Sequence, residues 1–129
     1  MKTDFVTVIN CMDGRVQLPV IHWLQEQYNH AYVDSITEPG PVKILAEQND
    51  TLLLQSIKKR LDISIHKHGS QVITLVAHDD CTGNPLGKEQ QLNQLKKAAG
   101  LLHQWYPSLH LITLWVDINW SVSQINTED

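Results

Sequence analysis

At 129 residues, 42% hydrophobic and 19% charged, the chain is expected to fold as a single domain, 1–129, able to bury a core without covalent staples. Its net charge of −4, with no basic run longer than Lys58-Lys59-Arg60, argues against a nucleic-acid partner. No apolar run approaches the roughly 18 residues of a membrane span, and Phe5 to Ile9 is too short for a signal peptide. A cytoplasmic location is therefore expected, with the two widely separated cysteines reduced.

In chain order, Phe5-Val6-Thr7-Val8-Ile9 reads as a buried strand that ends at Cys11-Met12-Asp13-Gly14-Arg15. A helix of about three turns is predicted over 16–29, with Pro19 tolerable only in its first turn. A short strand follows over 31–36 and is halted by Glu38-Pro39-Gly40-Pro41. The pattern turns helical from Val42, and Asn49 or Asp50 offers an N-cap for a longer helix through Leu53, Ile57, Leu61 and Ile65. Gly69 marks its end.

A third strand over 71–77 runs into His78-Asp79-Asp80-Cys81, and a Gly- and Pro-containing loop over 82–87 leads to a helix carrying Leu92, Leu95, Ala99, Leu102 and Trp105. The last strong strand is 110–117, and 121–129 is expected to be a loose tail. This alternation predicts an α/β fold with three α/β/α layers around a mainly parallel sheet of about four strands. The spatial order expected is 2-1-3-4. In that order strands one and three flank the topological switch point, where open α/β sheets place their ligands. Cys11 and His78 fall at those two strand ends.

Two thiols and one imidazole are the donors zinc prefers, and a catalytic zinc keeps a fourth position open. Cys11, His78 and Cys81 form that set. Asp13 could fill the vacancy as a fourth ligand in a closed state, or hydrogen-bond the water there. Arg15 could hold that carboxylate off the metal through a bidentate pair. Two thiolates leave the metal less acidic than neutral imidazoles would, so activity is expected to rise through mildly alkaline pH. Glu38, at the end of the strand beside Cys11, could serve as a proton acceptor or merely pair with Arg15 or a surface Lys, and either Asp79 or Asp80 could orient His78 from behind. Trp105, Trp115 and Trp120 are expected in the core or at a subunit interface.

Cys-x-Asp-x-Arg followed by His-x-x-Cys, each after a strand of a small α/β domain, resembles the β-class carbonic anhydrases over roughly residues 4–120. The resemblance implies Zn2+ held by Cys11, His78 and Cys81, with Asp13 and Arg15 as the catalytic dyad. It implies reversible hydration of carbon dioxide to bicarbonate by a zinc-bound hydroxide, in a homodimer or higher homo-oligomer. The chain departs from the family at Thr37-Glu38-Pro39-Gly40, where Arg-Asn-Ala-Gly is usual, and after Cys81, where Thr82 replaces the first of two glycines. With a first strand that begins near residue 4, the family's amino-terminal helical arm is expected to have no counterpart. These departures fall in the substrate pocket, which keeps two alternatives open: a structural zinc protein, or a hydrolase of another small heteroallene such as carbon disulfide. Cysteine-based group transfer is a further class, but it leaves His78 and Cys81 without a role.

Overall fold

The computed structural model describes residues 4–126. Five strands, β1 (Phe5–Cys11), β2 (Tyr32–Glu38), β3 (Val72–His78), β4 (His110–Val116) and β5 (Val122–Gln124), form one sheet in the order β2-β1-β3-β4-β5. The first four are parallel, in the predicted order 2-1-3-4, and β5 pairs antiparallel with the end of β4. The segment expected to be a loose tail thus contributes a short edge strand over Val122–Gln124. Its backbone partners, Leu114 to Val116, lay in a stretch already read as a strand, and the three-residue piece has too little pattern of its own to be read. Residues 127–129 of that expected tail lie outside the described residues.

Strand alternation divides the core in two. One cluster, including Ile9, Ile36, Leu45, Ile57, Leu61, Leu75, Leu95 and Leu102, packs under α2 (Pro41–Glu47), α3 (Thr51–Asp62) and α4 (Lys88–Trp105). The other, including Val6, Val8, Val20, Leu24, Ile112 and Leu114, packs under α1 (Gln17–Gln27). Helices on both faces leave β1 and β3 buried from end to end apart from their first residues, which is why both read as near-continuous apolar runs.

Helix boundaries follow local chemistry. A 3-10 turn over Gly14–Val16 precedes α1, and Pro19 is the third residue of α1, where its missing N–H costs no intrahelical bond. The helical region after Val42 is split because Gln48 adopts a left-handed conformation at φ 57° and ends α2. Asp50, one of the two expected caps, restarts the helix by accepting the Leu53 N–H at 3.1 Å. α3 then widens into a π-helical turn over Ile63–Lys67, which sequence periodicity does not distinguish from α-helix.

Candidate metal centre

Cys11 is the last residue of β1 and His78 the last of β3, so two adjacent parallel strands deliver a thiol and an imidazole to the same end of the sheet. Cys81 follows one turn later. One donor atom from each of the three residues falls within 4.8 Å of the others, and all three side chains are buried. Among the described residues this is the only such cluster of three or more metal-ligating side chains.

Two observations test whether a metal fits. The Cys11 and Cys81 sulfurs lie 3.8 Å apart. Two thiolates bound to a tetrahedral zinc at about 2.3 Å would be separated by about 3.8 Å, so the spacing matches. His78 Nδ1 donates to the Asp79 carbonyl at 2.7 Å, which leaves the lone pair on Nε2. That Nε2 is buried and has no hydrogen-bond partner. A buried polar atom without a partner is costly, and a cation would satisfy it. The donor set therefore fits zinc.

The sulfurs are also prepared for negative charge. Backbone N–H groups of Gly40 and Asp13 face Cys11, and those of Asn84 and Gly83 face Cys81. Between the two, the Cys81 thiol donates to Cys11, which lowers the pKa of Cys11 and raises that of Cys81.

Backbone packing fixes the loops that carry these groups. Gly40, at φ 66°, lies against Gly83: a Cβ on Gly40 would come within 2.8 Å of the Gly83 backbone. A Cβ on Gly83 would come within 2.5 Å of the Pro39 carbonyl carbon. Only glycine permits the loop after β2 to touch the loop after Cys81 so closely. Three buried or half-buried amides complete the frame. Asn10 accepts the Cys11 N–H at 2.9 Å and donates to the Val16 carbonyl at 3.2 Å. Gln17 donates to the carbonyls of Cys11 and Asp13 at 2.6 and 2.9 Å, and Gln91 to those of His78 and Leu86 at 3.0 and 2.9 Å.

Asp13 and Arg15 form the bidentate pair expected of them. Arg15 Nη2 donates to Asp13 Oδ2 at 2.7 Å and Nε to Oδ1 at 3.0 Å, while the Arg15 backbone N–H also reaches Oδ1 at 2.9 Å. The guanidinium beside it holds the Asp13 carboxyl down at about 2. Arg15 also crosses to the second motif, donating to Asp80 Oδ2 at 3.3 Å and to the Asp80 carbonyl at 3.2 Å.

The other acidic candidates are placed differently. Glu38 sits opposite Cys11 in the β1–β2 register, but its carboxylate ion-pairs with Arg60 of α3. Asp79 orients His78 with its backbone carbonyl. An open depression of about 300 Å³, lined by Cys11, Met12, Asp13, Pro39, Thr82 and Gly83, leads to the cluster. Sequence reasoning missed Gln17, Gln91 and the Gly40–Gly83 contact. The glycines carried a signal as loop residues, but a glutamine in a helix carries none until its partners are known.

The family described as "Putative carbonic anhydrase" matches residues 1–126. The comparison with curated proteins finds no match. Among solved structures, a tetrameric β-carbonic anhydrase from Sordaria macrospora is similar with a TM-score of 0.62 and 11% identity, over 96% of this chain and 81% of that one. The Trichomonas vaginalis β-carbonic anhydrase isoform I gives 0.59 and 14%, over 98% and 84%. The Aspergillus fumigatus enzyme CafA gives 0.57 and 12%, over 98% and 77%. At such identities the structures speak for the fold, and the family match speaks for descent. With a Cys-His-Cys cluster at the switch point of a 2-1-3-4-5 sheet and a family match over nearly its whole length, this chain belongs to the carbonic anhydrase family and has the β-carbonic anhydrase fold.

Proposed function

We propose that this protein is a zinc-dependent lyase that catalyses the reversible hydration of carbon dioxide to bicarbonate. The observation that carries the reading is the convergence of three buried donor atoms within 4.8 Å beside an Asp13–Arg15 pair. Cys11, His78 and Cys81 would hold the ion. When bound, zinc supplies Lewis acidity that brings the pKa of a water toward neutrality.

The chain's own residues have distinct tasks. Asp13, ionised at all pH values well above about 2, accepts hydrogen bonds only and would orient an O–H toward its carboxylate oxygens. Arg15 fixes that carboxylate through two parallel N–H donors and so sets where the acceptor atoms lie. Met12 and Pro39 give the mouth apolar walls, suited to an uncharged triatomic substrate. The Glu38–Arg60 ion pair keeps that negative charge occupied.

We also propose that the protein works as a homo-oligomer in the cytoplasm. The tetrameric Sordaria macrospora structure and the exposed side chains of Met12, Leu18 and Ile118 support assembly. Two free, buried cysteines and the lack, among the described residues, of a helix long and apolar enough to cross a membrane suit a reducing, aqueous compartment.

The test is stopped-flow carbon dioxide hydration on zinc-loaded protein at mildly alkaline pH, with metal content measured on the same sample. Turnover well above background that disappears in Cys81→Ser is the expected result. Full zinc occupancy without turnover would overturn the reading and favour a structural zinc or another heteroallene as substrate.

A further inference from the structure

Arg15 is gripped from a third direction that the Asp13 pair does not account for. Its guanidinium carbon lies 4.8 Å from the centroid of the Trp120 ring, in cation–π contact. Trp120 comes from the turn between β4 and β5, far from both metal-binding motifs in sequence. Composition and periodicity place it only as a large apolar residue.

The turn is built to present that ring. The Asp117 carboxylate accepts the N–H groups of Asn119 and Ser121 at 2.8 and 3.0 Å, and the Asp117 carbonyl accepts the Trp120 N–H at 3.0 Å. Asp117 N–H closes the loop on the Ser121 carbonyl at 3.0 Å. Within it Trp120 adopts φ 62°, a left-handed conformation that a bulky residue rarely takes. Asp80, the other outside partner of Arg15, stands at φ 55°. Both residues that hold Arg15 from outside its own loop are thus in backbone conformations that surrounding contacts must impose.

We propose that Trp120 is a positioning residue for Arg15, and through it for the Asp13 carboxylate at the mouth of the metal centre. The inference rests on the hydration reading for its catalytic consequence, while the clamp itself stands on the contacts above. Arg15 is nearly half exposed on its side chain, so a two-point pair with Asp13 alone would exchange readily with water. The guanidinium carbon lies over the indole ring, and Asp80 accepts from Nη1 and from Nη2, the latter also held by Asp13. Together they leave Arg15 one orientation, and the β4–β5 turn becomes part of the site.

The test uses the zinc-loaded full chain, with Trp120→Phe and Trp120→Leu compared against the parent. Two quantities are read: solvent exchange of the Arg15 Nε–H by NMR, and kcat and KM for carbon dioxide hydration. In W120L the Arg15 exchange accelerates and kcat falls, each by about tenfold, with KM and zinc content unchanged; W120F retains most of both. A protein biosynthetically labelled with fluorinated tryptophan keeps the shape of the ring and weakens its quadrupole, so it gives faster Arg15 exchange even if W120L does not fold.

Unchanged Arg15 exchange in W120L or in the fluorinated protein overturns the clamp. Equal losses in W120F and W120L overturn it too, since packing alone then explains the effect. If the parent shows no hydration but its Arg15 exchange responds to these changes, the clamp stands and the hydration reading fails.

Discussion

At the scale of single residues, Arg15 and Gln91 do work that their neighbours depend on. Arg15 holds the Asp13 carboxyl near 2, against about 3.9 for an unperturbed aspartate. In Arg15→Gln the Asp13 pKa should therefore rise toward the ordinary value, which carbon-detected NMR titration of the carboxyl would measure. The sign of the linked stability follows: a depressed folded pKa stabilises above about pH 4, and that contribution is lost as pH falls through about 2. Because the Arg15 side chain is 45% exposed, solvent screening keeps the stability effect small even where the pKa change is large. An Asp13 pKa that stayed low in the variant would show that Arg15 is not its cause.

Gln91 is 1% exposed and supplies one Nε2 to two carbonyls, those of His78 and Leu86. Gln91→Ala removes both hydrogen bonds at once and leaves a cavity. The expected cost is about 1–3 kcal/mol in denaturant unfolding, with zinc affinity lowered because the His78 end of β3 loses its anchor. A variant as stable as the parent would mean that water replaces the amide at no cost.

At the scale of elements, the site is a meeting of three loops at the carboxyl ends of β1, β2 and β3. Register delivers Cys11 beside Glu38 and aligns β1 with β3, but register alone leaves the loops free to splay. The Gly83 contact with Pro39 and Gly40 closes them. Gly83→Ala would put a Cβ 2.5 Å from the Pro39 carbonyl carbon, against rigid backbone on both sides. The loops must then move apart, taking the Cys81 sulfur away from Cys11. Loss of stoichiometric zinc in G83A, measured by metal analysis after gel filtration, is the expected outcome, with helical content by circular dichroism retained. Full occupancy in that variant would show that the loops can part without disturbing the ligands.

The same scale explains why Glu38 does not face the metal. Ile36 and Glu38 lie two apart on β2 and share the face that packs on α3. Glu38 accordingly meets Arg60, while its carbonyl accepts the Met12 N–H at 3.0 Å. Its position in the register made it a neighbour of the site, and the ion pair with Arg60 draws its carboxylate to α3.

At the scale of the whole molecule, the two halves of the core meet at the metal centre. Cys11 and Cys81 belong to the cluster under α1, whereas Ala77, beside His78, belongs to the cluster under α2 to α4. A bound metal would tie both together across the sheet. Removing it with a chelator should lower the unfolding midpoint markedly without abolishing the fold, because each face of the sheet keeps its own apolar core. An apo protein with an unchanged midpoint would indicate that the ion does not bind the folded state preferentially.

What the sequence determined by itself was the part of the molecule with strong local patterns. Two apolar runs ending in Cys11 and His78, amphipathic segments between strands, and Asp50 as a cap are local signals, and they sufficed for a parallel 2-1-3-4 sheet and for the three proposed ligands. The Asp13–Arg15 pair was legible because its partners lie two residues apart. The tertiary structure alone decided whatever depends on groups distant in sequence and indifferent in type. The fifth strand exists only because β4 offers it an edge. Gln17 and Gln91 differ from surface glutamines only by what they touch, and Glu38 is drawn to α3 by its ion pair with Arg60. Trp120 is carried to Arg15 by a turn whose left-handed residue has no signature in the chain. Hydrogen-bonding groups and aromatic rings take their meaning from direction and distance, and in this protein the fold of the whole sheet sets both.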